Sequence, residues 1–87
     1  MAAMGTEQTA RAIESLGGAS AVARLRGVTP WAVSKWSRAG VPAEQARWLA
    51  EQTGWRFTPH QLRPDLYPNA ADGLPPAEAA RRQQEAA

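Results

Sequence analysis

Apolar positions along this chain recur every three to four residues, which is the period of an α-helix rather than of a strand. Residues 6–16 form the first predicted helix, which Thr6 caps and Gly17 ends, with Ile13 and Leu16 on its apolar side. A threonine, proline or glycine marks the ends of the later helices in the same way. These later helices are predicted over residues 19–26, 30–38, 42–53 and 58–62.

The two ends of the chain lack this pattern. Residues 68–87 consist mainly of Ala, Pro, Gly, Glu, Arg and Gln, and Leu74 is their only large apolar residue. We predict a flexible tail there, within which a nascent helix is expected after Pro76. Residues 1–5 are predicted to be disordered. The remaining residues, 6–67, are predicted to form one compact all-α domain of four to five helices.

Length and composition exclude several classes of protein. The 87 residues suffice for one small domain, and the absence of cysteine excludes disulfides and a thiolate zinc site. No apolar stretch approaches the roughly 20 residues that cross a bilayer, and the first residues lack the features of a signal peptide. We therefore expect a cytoplasmic protein that does not bind a membrane.

The sequence also offers no combination of residues typical of catalysis. His60 is the single histidine and has no neighbouring cluster of carboxylates, so a metal site is not expected. The chain has neither a nucleophile triad nor a glycine-rich phosphate loop. We expect no enzyme, no cofactor and no small-molecule substrate.

The positive charge is concentrated in one segment of the chain. The formal net charge is only +2, but no acidic residue occurs between Glu14 and Glu44. An ordinary solvated basic face would account for this, as would a surface that faces phosphates. The segment contains four basic residues: Arg24, Arg26, Lys35 and Arg38.

The same segment has the features of a helix-turn-helix. Ala23 is small enough for a close crossing of two helices, and Gly27 tolerates the positive φ of a tight turn. Apolar residues on both helices are available to anchor them to the core. The candidates are Val22, Val28, Val33 and Trp36.

Rotation by about 100° per residue divides the helix over residues 30–38 into two sides. Ala32, Val33 and Trp36 fall on the anchoring side. The opposite side would enter a major groove, where Lys35 and Arg38 reach guanine or phosphate and Trp31 packs on a thymine methyl or a sugar. The predicted DNA-contacting residues, with those beside the helix N-termini, are Ser20, Arg24, Thr29, Pro30, Trp31, Ser34, Lys35 and Arg38.

A family resemblance rests on these residues. The segment AVARLRGVTPWAVSKW at residues 21–36, GVPAE at 40–44 and LRPDLYP at 62–68 resemble the Cro-like helix-turn-helix proteins of prophage origin, the YdaS-type group. The resemblance implies a compact domain like that of phage lambda repressor and Cro, binding to a double-stranded DNA operator, and a transcription regulator, expected to be a repressor. Some relatives are described as antitoxins, so a module that binds a toxin or host factor is the alternative.

Two positions leave alternatives open. Arg26 stands where the family has a large apolar residue, so we expect Leu25 to replace that contact and Arg26 to lay its stem on the core and pair with Glu44, Glu51 or Asp65. Trp48 points away from the predicted core. Either Trp55, Phe57 or the segment at 66–67 covers it, or it forms a self-association surface. Monomer and homodimer are both compatible with the pattern.

Two further expectations concern the end of the domain. Arg63 and Asp65 flank Pro64 and are expected to form an ion pair or a cap there. His60 is expected to be exposed in the turn at residues 58–62.

Overall fold

The structure, a computed structural model, describes residues 5–86, and these residues form six helices and no strand. The all-α class is therefore confirmed. The predicted second helix has the predicted bounds, and most other predicted ends lie within one residue of the observed ones. The helices are α1 (Thr6–Ser15), α2 (Ala19–Arg26), α3 (Pro30–Ala39), α4 (Ala43–Gln52), α5 (Pro59–Leu62) and α6 (Pro76–Ala86).

The start of α1 differs from the prediction. Gly5, not Thr6, is the N-cap, in a left-handed conformation with φ of 81°. Its carbonyl accepts hydrogen bonds from the backbone N–H and the hydroxyl of Thr9, each at 2.8 Å. Thr6 is the first helical residue and is buried. Of the residues predicted to be disordered, 1–4 lie outside the described residues, whereas Gly5 packs against α5.

The core lies where α1, α2, α3 and α4 meet, with α5 against α1 and α4. α3 packs on both α1 and α2, and these are the two most extensive helix–helix contacts among the described residues. Trp36 is buried, as predicted, at 6% exposure. The buried hydrophobic side chains are Ala12, Ile13, Val22, Ala23, Val33, Trp36, Val41, Ala46, Leu49, Ala50 and Leu62.

The segment after α5 contains a helix at the place where the sequence indicated a nascent one within the predicted tail. α6 begins at Pro76, which raises the number of helices to six instead of four or five. Arg82 of α6 donates to the carbonyl of Trp55, a residue held at a positive φ of 65°. Arg47 stacks on the Trp55 ring and donates to the Gly73 carbonyl at 2.9 Å. Flexibility of residues 68–87 in solution stays a prediction.

Gly5 and Gly27 have nearly equal φ, so a comparison of the two tests how much the close approach of Gly5 to Leu62 contributes to stability. A Cβ at Gly5 would lie 2.1 Å from the carbonyl oxygen of Leu62, whereas one at Gly27, with φ of 79°, would meet nothing within 4 Å. Gly27→Ala should cost about 1 kcal/mol of stability, from backbone strain alone. Gly5→Ala should cost clearly more, because a backbone clash is added. Urea unfolding of both variants measures the difference, and equal losses would show that α5 simply moves aside.

Candidate nucleic-acid interface

The turn between α2 and α3 depends on Gly27. The backbone N–H groups of Gly27 and Val28 both donate to the carbonyl of Ala23, at 2.8 and 3.1 Å. This closure requires the left-handed conformation that glycine adopts without a steric penalty. Val28 then lies half-buried against the core. The turn therefore ends α2 and fixes the direction in which the chain enters α3.

α3 begins with the cap that the sequence predicts. The hydroxyl oxygen of Thr29 accepts a hydrogen bond from the backbone N–H of Ala32 at 3.1 Å. Pro30 occupies the first helical turn, where its missing N–H costs nothing. Because the cap oxygen is engaged in this bond, Thr29 has its hydroxyl hydrogen left to offer to an acceptor outside the protein.

α3 has two distinct sides. Val33 and Trp36 are buried on one side, at 0% and 6% exposure. The other side is exposed to solvent, and on it Trp31 has 67% of its surface accessible. Burial of the anchoring side therefore forces the other side outward, in agreement with the helical rotation. The exposed residues of this surface, called the α3 outer face below, are Thr29, Pro30, Trp31, Ser34, Lys35 and Arg38.

The two charged side chains of this surface, Lys35 and Arg38, are both positive. Within residues 5–86, neither Lys35 nor Arg38 forms an ion pair. The ammonium of Lys35 instead lies 5.6 Å from the centre of the Trp31 ring, a cation–π contact between side chains one turn apart. Thr29, Pro30 and these side chains share the beginning and one side of a single helix. The α3 outer face therefore combines free cationic groups, hydroxyl groups and an exposed aromatic ring.

The two predicted contact residues on α2 lie apart from that helix. Ser20 and Arg24 are exposed and one turn apart. Arg24 lines a shallow surface depression of about 320 Å³, together with Leu16, Ala21 and Leu25. Within the described part of the chain Arg24 forms no ion pair. Its charge is therefore free to face a phosphate.

The prediction for Arg26 is wrong in its partners. Leu25 does not replace the missing apolar contact, because it is 60% exposed. Arg26 extends over α4 instead: its Nε donates to Gln45 at 2.7 Å, and its guanidinium lies 5.0 Å from the centre of the Trp48 ring. None of the three predicted carboxylates pairs with it. The spacing of three residues between Gln45 and Trp48, which puts both on one helical face, was the available signal.

Trp48 is half-buried and packs against the core. The stacked Arg26 covers part of it, a partner that sequence reasoning did not consider. Because this cover comes from the same chain, the case for Trp48 as a self-association surface loses its main support.

The Arg63–Asp65 ion pair is confirmed. Two guanidinium nitrogens of Arg63 bind the two carboxylate oxygens of Asp65, at 2.9 and 2.7 Å, and a third donates to the carbonyl of Val41 at 2.7 Å. The hydrogen bond from Arg63 holds the pKa of Asp65 below its usual value, and the pKa of Arg63 is raised in turn. The pair thus ties the end of α5 to the segment between α3 and α4.

His60 is not the exposed residue that the sequence predicts. It is half-buried, and its Nδ1 lies 2.7 Å from the carbonyl oxygen of Tyr67. The chain turns back after Pro64, which brings this carbonyl over the histidine. Seven residues separate the two groups, beyond the reach of a local turn pattern.

These helices, their turn and the exposed α3 define a helix-turn-helix protein. The family model described as bacterial toxin YdaS matches residues 9–71. The chain therefore belongs to the YdaS family, a Cro-like helix-turn-helix family, as the resemblance indicated. No curated protein and no solved structure matches the chain.

The matched family is not an enzyme family. Across residues 5–86, no helix is long and apolar enough to span a membrane. The same residues contain no group of three or more His, Asp or Glu side chains able to hold a metal ion.

The Asp65 carboxylate makes stability depend on pH in a defined direction. Its folded-state pKa lies below the ordinary value of 3.8, so its contribution is complete above that pH and is lost as the pH falls further. Asp65→Asn should therefore lower the melting temperature at neutral pH, and its deficit should shrink progressively below pH 3.8. As a control, Glu14→Gln removes an exposed carboxylate and should leave the neutral-pH melting temperature unchanged. A deficit independent of pH would argue for a role other than the ion pair.

Proposed function

We propose that this chain is a transcription regulator that binds double-stranded DNA with α3 in the major groove. The observation that carries the proposal is the α3 outer face. It is exposed, carries cationic side chains that form no ion pair within residues 5–86, and lies on a helix that Val33 and Trp36 anchor in the core. In helix-turn-helix proteins the second helix of the motif enters the groove with its N-terminal residues at the base edges.

The side chains of this face suit both parts of DNA recognition. Lys35 and Arg38 provide donors for the acceptors of guanine or for phosphates, and Ser34 provides a hydroxyl for a base or a phosphate. Ser20 and Arg24, with the N–H groups at the start of α2, suit phosphates beside the groove. Thr29 and Pro30 place the first turn of α3 close to the bases. We propose that its role is that of a repressor at the promoter of a prophage or mobile element, a proposal that the Cro-like helix-turn-helix character of the family supports.

Binding should depend on the charges of this face and fall steeply with salt. Lys35→Ala and Arg38→Ala should each weaken binding about tenfold on a fragment from upstream of the gene, and each phosphate contact removed should reduce the salt slope by about 1. The measurement is the dissociation constant at about 0.05 and 0.2 M salt. Both side chains are exposed, so neither change should alter folding.

Arg56→Ala is the matched control for these variants. Arg56 is exposed, forms no ion pair among residues 5–86 and lies outside the helix-turn-helix. Its loss removes the same charge and should change binding less than about twofold. If it weakens binding as much as the two α3 variants, net charge and not the α3 outer face governs the affinity.

A second candidate function is binding of a protein partner, as a toxin or an antitoxin does. Two observations favour it. The matched family is described as a bacterial toxin, and α6 lies beyond the matched residues. α6 is rich in alanine and charged residues, and its Arg82 donates to a backbone carbonyl of the domain, a contact that a partner bound to α6 would have to replace.

Deletion of residues 76–87 separates the two functions. DNA binding should stay within about twofold of the full chain, because the α3 outer face is left intact. Growth of bacteria that express the full chain, the deleted chain and Lys35→Ala provides the second readout. Growth inhibition that needs residues 76–87 but not Lys35 would support partner binding as a toxin. Loss of specific DNA binding on deletion would refute this division of roles.

A further inference from the structure

Trp31 is not part of the hydrophobic core of the described residues. It is the most exposed of the large apolar side chains among residues 5–86, at 67%, and the core is already closed by Val33 and Trp36. An aromatic side chain in water gains by packing on another apolar group. Trp31 lies in the first turn of α3, which is the part of such a helix that approaches base edges.

The ammonium of Lys35 lies over this ring in the free protein. The ammonium lies 5.6 Å from the ring centre, so two long side chains pack together over one patch of α3 before any ligand arrives. Packing them together in advance reduces the conformational entropy that binding must remove. The contact is exposed and therefore weak, which allows the ammonium to leave the ring for a better partner.

The major groove offers a matching pair of groups. The C5-methyl of thymine is the apolar group that base pairs present there, and guanine presents two acceptors, O6 and N7. An exposed indole fits the methyl, and an ammonium fits the guanine acceptors. Four residues of helix span about 6 Å and successive base pairs are about 3.4 Å apart, so both groups must lie within about two base pairs.

We infer that Trp31 and Lys35 together read a thymine and a guanine that lie within about two base pairs of each other in the DNA site. The inference rests on the proposed function and adds the kind of sequence that α3 selects. Contact of Trp31 with a deoxyribose would use the same exposed ring but would be indifferent to sequence.

Single-atom changes in the DNA test this assignment. Each thymine of the bound fragment is replaced in turn by deoxyuridine, which removes the methyl alone, and each guanine by 7-deazaguanine, which removes the N7 acceptor. At one thymine, the full-length protein should lose about fourfold in affinity, the effect of one buried methyl. At a guanine within two base pairs it should lose about tenfold.

The variants assign each loss to its side chain. Trp31→Ala should bind more weakly and no longer respond to deoxyuridine at that thymine, while Trp31→Phe should keep part of the response. Lys35→Ala should lose the response to 7-deazaguanine. Arg56→Ala, outside the α3 outer face, should keep both responses at full size.

The outcomes separate this inference from the proposed function. Specific binding that no deoxyuridine weakens, or a deoxyuridine effect that persists in Trp31→Ala, overturns the inference and leaves the proposed function standing. Binding without any preference for a DNA sequence overturns both.

Discussion

Burial of Val33 and Trp36 is the constraint on which the rest of this protein depends. These two side chains fix α3 against α1 and α2, and successive residues of a helix differ in direction by about 100°. Once they point inward, Trp31 and Lys35 must point outward. The packing that stabilises the domain therefore also orients the α3 outer face towards solvent.

The arginines of this chain fall into groups that their neighbours define. Four arginines, Arg11, Arg63, Arg81 and Arg82, are engaged with carboxylates, whereas Arg26 and Arg47 stack on tryptophan rings. A formal net charge of +2 conceals this division. The cations left without an acidic partner within residues 5–86 include those of the helix-turn-helix, so position rather than number decides which charges are available to a polyanion.

Local features of the chain were predictable from sequence, and distant ones were not. Thr29, Gly27 and Thr58 act within four residues of their own positions, so the bounds of the helices followed from residue type. The outward side of α3 followed from helical rotation. The contact of Arg26 with Gln45 spans 19 residues, and Gly5 meets Leu62 across the whole domain. Such contacts depend on how the helices are arranged, which no local pattern encodes.

The length of α3 limits the number of base pairs that one molecule of the protein can contact. Its ten residues measure about 15 Å, the length of about four base pairs. A sequence of four base pairs recurs by chance every few hundred base pairs, far too often to mark one promoter among the competing sites of a chromosome. Under the proposed function, selection of one promoter therefore requires several copies of the protein on adjoining sites. Regulation of the gene would then depend on protein concentration more steeply than in direct proportion.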